Sequence, residues 1–127
     1  MMKTLYHGSS LSNLQNIVKY GFDMEKFGTK WSNTYGNGIY LTPNKKYAKS
    51  YSDDSNYILK VKVLYKPFYL KRNYSPNYRK DRRKLNKIRQ YAIDNNYTCL
   101  STVDNKEIIL FDHTNIINYT ISYISYI

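Results

Sequence analysis

The sequence predicts a single α+β domain over residues 1–127, and three observations support this prediction. Several short segments have the alternating or apolar pattern of β-strands. Two longer segments repeat apolar residues at the helical period, which is typical of amphipathic helices. A chain of 127 residues has the size of one domain and can bury its own core. We therefore expect about six strands and two substantial helices.

The N-terminal part of the chain is predicted to be a strand, a helix and a loop. The strand covers residues 3–6. The helix has serines available as N-caps, and Gly21 is placed to end it in the left-handed conformation. Residues 23–37 show no sustained period and are predicted to be a loop. The apolar residues of the helix recur at helical spacing: Leu11, Leu14, Ile17 and Val18.

The middle of the chain is predicted to alternate between strands and a short helix. Residues 38–42 read as a strand that follows a glycine turn, and residues 45–51 as a short helix. Pro43 is expected near N1 of that helix, where the missing N–H costs little. The clearest strand is 57–65, where apolar residues alternate with lysines. A further short strand is expected at 68–70.

The segment 71–89 is strongly basic, with Asp81 as its single acid. A serine–proline start and a one-sided apolar stripe (Leu85, Ile88, Ala92) predict a helix over residues 76–94. The other faces of this helix carry Arg79, Lys80, Arg82, Arg83, Lys84, Lys87 and Arg89. Such a face is usually only solvated, but its charge density favours contact with an anionic partner. The residues expected to contact nucleic acid or another acceptor are Arg79, Arg82, Arg83 and Lys87.

The C-terminal part is predicted to consist of three more strands. Residues 97–103 form the first, and a turn at residues 104–105 leads into a buried strand at 107–111. The alternating tail, 119–127, is expected to be an edge strand.

The composition leaves the origin of the high charge open. Lysine and arginine number 20 against 9 acidic residues, giving a net charge of +11, and there are 16 tyrosines. A charge of this size attracts polyanions through counterion release. However, Lys, Asn, Ile and Tyr all have A/T-rich codons, so genome composition alone also explains both excesses.

Cysteine count and hydropathy narrow the class of protein. The single cysteine, Cys99, excludes an intramolecular disulfide and a cysteine-rich zinc site, and we expect it to be a small core residue. No metal site is predicted. No apolar run is long enough to span a membrane, and the N-terminus lacks a signal-peptide pattern. We expect a soluble intracellular protein, either cytoplasmic or nuclear, with no membrane partner.

Three separate motifs combine residues that carry chemistry. They are LYHGS at 5–9, GNGIYL at 36–41 and EIILFD at 107–112. Each has a structural explanation when taken alone: a turn histidine, a packed tyrosine or a surface glutamate. The chain has only two glutamates, and Glu25 lies in a predicted loop, whereas Glu107 begins a buried strand.

In this order, the three motifs resemble those of the ADP-ribosyltransferase superfamily, in the His-Tyr-Glu branch that includes the poly(ADP-ribose) polymerases. Tyr51, eleven positions after Tyr40, falls where the polymerases carry a second tyrosine. The resemblance extends from residue 5 to about residue 116 and leaves the basic segment 71–91 unmatched. It implies two small, mostly antiparallel sheets that form an NAD cleft flanked by helices.

The resemblance implies an enzyme that cleaves the nicotinamide–ribose bond of NAD and transfers ADP-ribose, one unit rather than a chain, to protein or nucleic acid. Glu107 is the expected catalytic carboxylate: it would bond the ribose 2′-OH and face the developing positive charge of an oxocarbenium-like sugar. His7 would orient the adenosine-side ribose, and Tyr40 completes the catalytic triad.

The resemblance also implies a nicotinamide pocket. Tyr40 and Tyr51 would stack on the ring, and the Gly8 backbone would bond its carboxamide. Ser9 is expected to assist at the carboxamide or ribose. The polymerases carry a carboxamide-binding serine where this chain has Ala48, and Ser50 is the nearest hydroxyl.

Two other functions remain open from the sequence. An NAD-dependent RNA 2′-phosphotransferase belongs to the same superfamily, but it normally uses several arginines near the His motif, and none flanks His7. A non-catalytic module that binds nucleic acid through tyrosines and a basic helix would explain the charge. It would not explain the ordered His7, Tyr40 and Glu107 motifs.

Overall fold

The computed structural model describes residues 1–23, 35–52, 55–75 and 77–124. These residues form an α+β domain with two small sheets and three α-helices, so the predicted fold class is confirmed. In chain order the elements are β1 (Met2–His7), α1 (Leu11–Tyr20), β2 (Ile39–Leu41), α2 (Lys45–Lys49), β3 (Tyr57–Leu64), β4 (Pro67–Tyr69), α3 (Arg79–Asp94), β5 (Cys99–Ser101), β6 (Ile108–Leu110), a 3₁₀ turn (His113–Asn115) and β7 (Ile116–Tyr123).

The first sheet is antiparallel, with the strand order β1–β3–β7. The alternation predicted for its central strand is confirmed, because Leu59, Val61 and Val63 are all buried. Strand β7 lies at the edge as predicted but starts earlier, at Ile116, which pairs with Val63 beyond an irregularity in the ladder. Strand β7 therefore begins opposite Val63, near the end of β3, and is longer at its start than its alternating pattern predicts. Residues 125–127 of the predicted strand lie outside the described residues.

The second sheet has the strand order β2–β6–β5–β4. Strands β4 and β5 are parallel, and α3 provides the crossover between them. The helix packs on this sheet through Leu85 and Ala92, which cluster with Leu100 and Ile109. Strand β6 lies in the middle of the sheet, between β2 and β5.

The first helix has the caps that the sequence predicts. The Ser10 hydroxyl accepts the backbone N–H three residues further on, and Gly21, at φ +83°, donates its N–H to the Ile17 carbonyl. Val18 is 45% exposed and does not belong to the buried face. The reason is that α1 meets the core along the line of Leu14 and Ile17, and Val18 lies at the margin of that line.

The second helix begins at Lys45, as predicted, but Pro43 is not near its first position. Asn44 is its N-cap, with a side-chain oxygen that accepts the backbone N–H groups of Lys46 and Tyr47. Pro43 consequently lies before the cap and not near N1. The helix ends at Lys49, short of its predicted end.

The third helix begins at Arg79, later than predicted, and the predicted first residue lies outside the described residues. Its first turn contains Asp81, whose carboxylate accepts the backbone N–H of Ser75 and pairs with Arg72 at 3.0 Å. This acid near the N-terminus of a basic helix suits the helix dipole. Among the described helices, none combines the length and apolar character required to cross a bilayer.

Candidate active-site cleft

An isolated two-way bridge joins the two sheets at the ends of β1 and β2. The Tyr6 N–H donates to the Thr42 carbonyl at 2.8 Å, and the Thr42 N–H donates back to the Tyr6 carbonyl at 2.9 Å. The residues that follow Tyr6 and precede Thr42 are thereby brought side by side. Two of the three motifs meet at this point.

His7 is fixed at the end of β1 by the backbone of β2. Its Nδ1 donates to the Tyr40 carbonyl at 3.1 Å, and its ring packs edge-on against Phe22 with centroids 5.7 Å apart. Burial lowers the pKa of His7 from its ordinary value of 6.5, although the backbone hydrogen bond acts in the opposite direction. The ring is therefore neutral at pH 7, with its proton on Nδ1 and an acceptor atom at Nε2.

Gly8 is required by close packing against α2. A Cβ at this position would lie 1.7 Å from the Ala48 carbonyl oxygen and 2.7 Å from its carbon. Both atoms belong to the backbone and cannot rotate away. A glycine here allows the chain that leaves β1 to pass directly under α2, and this sets the width of the cleft.

Tyr40 forms one wall of the cleft, and its hydroxyl ties down the turn that precedes β2. The hydroxyl donates to the Gly36 carbonyl at 2.8 Å and accepts the Tyr35 N–H at 3.0 Å. Gly36 has φ +84°, a conformation that favours glycine. Burial is the main cause that raises the pKa of Tyr40, so the phenol stays neutral.

Arg89 of α3 supports the same turn from outside the cleft. Its Nη1 donates to the Tyr35 carbonyl at 3.1 Å, its guanidinium packs against Gly36, and it lies 5.3 Å from the centroid of the Phe111 ring. The sequence pattern places Arg89 on a face away from the apolar stripe, where side chains are usually solvated, but Arg89 is half-buried. Arg89 lies four residues after Leu85, so it shares the buried side of α3.

Glu107 lies just before β6, and it lines the same cleft as His7 and Tyr40. Its backbone is fixed by reciprocal hydrogen bonds with Thr102: the Glu107 N–H donates to the threonine hydroxyl at 3.1 Å, and the Thr102 N–H donates to the Glu107 carbonyl at 3.0 Å. These bonds close the turn that contains Asp104. The third motif is thus held rigidly at the cleft.

The carboxylate of Glu107 is half-buried and hydrogen-bonded to a tyrosine. The Tyr47 hydroxyl donates to Oε1 at 3.2 Å. Burial raises the pKa of Glu107 from its ordinary value, the Tyr47 bond acts against this shift, and the nearby charge of Asp104 adds to it. The balance leaves a carboxylate that is harder to ionise than a surface glutamate.

Tyr47 and Tyr51 lie one turn apart on α2 and the turn that follows it. Their rings meet edge to face with centroids 5.4 Å apart, and their hydroxyl oxygens are 3.1 Å apart. Tyr51 is 56% exposed, yet its ring still borders the cleft. Sequence reasoning missed Tyr47, although its spacing of four residues from Tyr51 on a helix was a usable signal.

The cleft enclosed by these elements has a volume of about 420 Å³, within the range of small-molecule sites. A more open hollow of about 530 Å³ adjoins it across Tyr6 and is bordered by Lys45 and Lys106. The cleft is lined by Tyr6, His7, Gly8, Tyr40, Leu41, Thr42, Tyr47, Ala48, Tyr51 and Glu107.

Two of the predicted cofactor-binding residues do not line the cleft. The Ser9 hydroxyl accepts from the Asn13 side-chain amide at 3.0 Å, and the Ser50 hydroxyl donates to the Tyr47 carbonyl. Ala48, which precedes Ser50 by two residues, does line it. Glu25 lies outside the described residues. The roles assigned to the individual residues stay predictions.

The four basic residues predicted to contact an acceptor lie on the outer face of α3. All of them are exposed, as are Lys80 and Lys84 between them. Within the described part of the chain, no three His, Cys, Asp or Glu side chains are grouped closely enough to hold a metal ion. The residues predicted for the outer face are Arg79, Arg82, Arg83 and Lys87.

The comparison with known families agrees with this geometry. Residues 2–64 match the family model of the poly(ADP-ribose) polymerase catalytic domain. The fold, the cleft and this match support an ADP-ribosyltransferase-like domain of the poly(ADP-ribose) polymerase type. That family uses NAD as its substrate. The predicted resemblance is thereby confirmed.

The family match covers two of the three motifs. His7, Tyr40 and Tyr51 fall inside residues 2–64, whereas Glu107 lies outside them. No curated protein matches this chain. The link between Glu107 and the other two motifs therefore rests on the geometry of the cleft.

Proposed function

We propose that this domain is an ADP-ribosyltransferase that cleaves the nicotinamide–ribose bond of NAD and transfers a single ADP-ribose to an acceptor nucleophile. The observation that carries the proposal is the convergence of His7, Tyr40 and Glu107 on one cleft, although they come from three distant parts of the chain. Hydrogen bonds that involve the backbone hold His7 and Glu107 in place. The family match supports the same substrate.

The proposed reaction breaks one bond and forms another at the same ribose carbon. The C1′–N bond to nicotinamide breaks, and its electron pair neutralises the pyridinium to give free nicotinamide. The acceptor oxygen or nitrogen then bonds C1′ and releases its proton. In the transition state the ribose carries positive charge, and the carboxylate of Glu107 stabilises it in a partly desolvated site.

The two walls of the cleft suit a flat, weakly polar ring. Tyr40 and Tyr51 contribute aromatic surface to the cleft. The neutral imidazole of His7 presents an acceptor for a ribose hydroxyl. Because Ala48 offers no side-chain hydrogen bond, the carboxamide of nicotinamide must rely on backbone groups, such as those of Gly8.

The basic outer face of α3 favours an anionic acceptor. The charge of +11 and the row of exposed cations on one helix support nucleic acid as the acceptor or as a docking partner. The same observation supports a second candidate function, a nucleic-acid-binding module without catalysis. The two differ in whether NAD is consumed.

The test of the proposed function is the release of nicotinamide from NAD by the wild type and by Glu107→Gln. We expect the substitution to lower turnover by about a hundredfold or more, since it removes the charge that stabilises the transition state. The affinity for NAD, measured by calorimetry, should change little because glutamine keeps the shape of the side chain. Asp94→Asn, at the exposed end of α3, is the matched control and should keep wild-type turnover. If wild type and Glu107→Gln turn over NAD at the same rate, the catalytic assignment is wrong.

A further inference from the structure

The side chain that contacts Glu107 within the cleft is one that the sequence motifs do not contain. Tyr47 comes from α2, 60 positions away in the chain, and its hydroxyl reaches Oε1 at 3.2 Å. A phenol has one proton, so when Tyr47 donates to the carboxylate it cannot also donate to Tyr51. Tyr51 must then be the donor in the 3.1 Å contact between the two hydroxyls. The hydrogen bonds run in one direction, from Tyr51 to Tyr47 to Glu107.

We propose that Tyr47 is a positioning residue that holds the carboxylate of Glu107 in the cleft and keeps it ionised there. The inference rests on the proposed function, because it concerns the carboxylate on which that function depends. A hydrogen bond to an ionised group is stronger than one between neutral groups, and a preceding donor polarises it further. The chain of two phenols therefore favours the charged form of Glu107.

The surroundings of Glu107 show why such a donor is needed. Half-burial and the negative charge of Asp104 both favour the protonated carboxyl, and the Tyr47 bond opposes them. Lys106 does not contact the carboxylate directly, since its Nζ lies over the Tyr47 ring, 5.3 Å from the centroid. The titratable groups that face Glu107 are Tyr47 and Tyr51 from α2 and its end, Tyr40 from β2, Tyr35 from the preceding turn, His7 from β1, and Asp104 and Lys106 from its own turn.

The Tyr47 hydroxyl can be removed by substitution without loss of the contacts that its ring makes. Its ring is held edge-on by Tyr51 and covered by Lys106, and Tyr47→Phe keeps both contacts. The variant removes the donor to Glu107 and little else. Tyr51→Phe is the matched comparison, because it removes a hydroxyl from the same pair and leaves the bond between Tyr47 and Glu107 in place.

The first readout is the titration of Glu107 itself, which does not require turnover. The chain contains only two glutamates, so protein labelled with ¹³C at the glutamate carboxyl gives two signals, and Glu107→Gln assigns them. We expect Tyr47→Phe to raise the pKa of Glu107 by about one unit, the size expected for one lost hydrogen bond to a charged group. Tyr51→Phe should raise it by less than half of that amount.

The second readout is the pH profile of kcat/KM for nicotinamide release. Activity requires ionised Glu107, so a higher pKa moves the acidic limb to higher pH, by the same amount as in the titration. A purely structural role would lower activity equally at every pH and leave the limb in place. Tyr91→Phe, on the exposed side of α3, should reproduce the wild-type profile.

The outcomes separate this inference from the proposed function. If Glu107 titrates at the same pH in wild type and Tyr47→Phe, the inference is overturned even in an active enzyme. If Tyr47→Phe shifts the titration but wild type releases no nicotinamide, the positioning role stands and the proposed function fails. A larger shift in Tyr51→Phe than in Tyr47→Phe would also overturn the inference, because it would reverse the order of the hydrogen bonds.

Discussion

The cleft and the outer face of α3 are the two unusual regions of this chain, and their side chains are held in opposite ways. In the cleft, His7, Tyr40 and Glu107 are buried or half-buried, and each has a backbone or side-chain partner at hydrogen-bond distance. On the outer face of α3 the charged side chains point to solvent along one helix. Specific hydrogen bonds hold the side chains of the cleft, whereas the outer face of α3 is distinguished only by the number of its charged residues.

Arg89 shows that buried, hydrogen-bonded cations and exposed cations occur on the same helix. It carries the same charge as Arg83 six residues earlier, but it is partly buried, and desolvation lowers its pKa. Its guanidinium bonds the turn that anchors Tyr40, whereas Arg83 is exposed. The comparison teaches that charge density alone does not mark a site; a charge that is desolvated for a particular contact does.

The largest effect is expected from Gly8→Ala, which changes the cleft and not the outer face of α3. Its Cβ would overlap the Ala48 carbonyl, so α2 must move away from β1 and carry Tyr47 and Tyr51 with it. We expect NAD turnover to fall by more than about a hundredfold and the free energy of unfolding by about 2 to 3 kcal/mol. Nicotinamide release and chemical denaturation measure the two effects.

The control for this prediction is a second glycine with a different constraint. Gly21 has φ +83°, but a Cβ there meets only the Tyr119 hydroxyl at 3.9 Å. Gly21→Ala should therefore lower stability by about 1 kcal/mol through backbone strain and leave turnover unchanged. Equal loss of turnover in both variants would mean that stability, and not the width of the cleft, limits activity.

An intermediate effect is expected from Arg89→Met, which removes the contact between α3 and the cleft. The Tyr35 carbonyl loses its donor, and the turn that holds the Tyr40 hydroxyl loosens. We expect KM for NAD to rise by roughly threefold to tenfold with a smaller change in kcat, as a hydrogen bond worth about 1 kcal/mol would produce. Steady-state kinetics of nicotinamide release measure both parameters.

Two variants sharpen this prediction. Arg89→Lys keeps the charge and should restore part of the lost affinity. Lys84→Met, on the exposed side of the same helix, should behave as wild type. If Lys84→Met raises KM as much as Arg89→Met does, net charge matters and the contact with Tyr35 does not.

The smallest effect on turnover is expected when four cations on the outer face of α3 are neutralised. A variant with glutamine at these four positions should release nicotinamide from NAD at a rate within about twofold of wild type, because none of these residues borders the cleft. Its affinity for single-stranded nucleic acid should fall, and the slope of log affinity against log salt should decrease by about three. The four positions are Arg79, Arg82, Arg83 and Lys87.

The salt titration of the wild type decides whether this face binds nucleic acid. Affinity should fall steeply between low and moderate salt, since counterion release drives binding. An affinity that is flat over that range, or equal in wild type and the neutralised variant, would remove nucleic acid from the partners of this face.

Local chemistry explains which parts of the fold could be predicted from the sequence. Strand β3 alternates because one of its faces is buried, and Ser10 and Gly21 cap α1 through bonds within a few residues of each other. Asn44, by contrast, capped α2 where Pro43 had been expected at its start, because an asparagine side chain can satisfy two N–H groups. Which of two neighbouring residues begins a helix depends on the backbone geometry at that point.

Contacts between distant segments explain what could not be predicted. The parallel pairing of β4 with β5 and the early start of β7 depend on partner strands that no local pattern specifies. In the cleft, motif order pointed to His7, Tyr40 and Glu107, but Tyr47 is one of 16 tyrosines and was not distinguished. Its contact with Glu107 depends on the packing of α2 beside the start of β6.

The central place of β6 in its sheet ties the position of Glu107 to the pairing of β6 with both of its neighbours. The segment ahead of it already includes the histidine and tyrosine walls, yet the carboxylate reaches them only after β6 has inserted between β2 and β5. Under the proposed function, a partly unfolded copy of this protein, in which β6 is not paired, would therefore not turn over NAD.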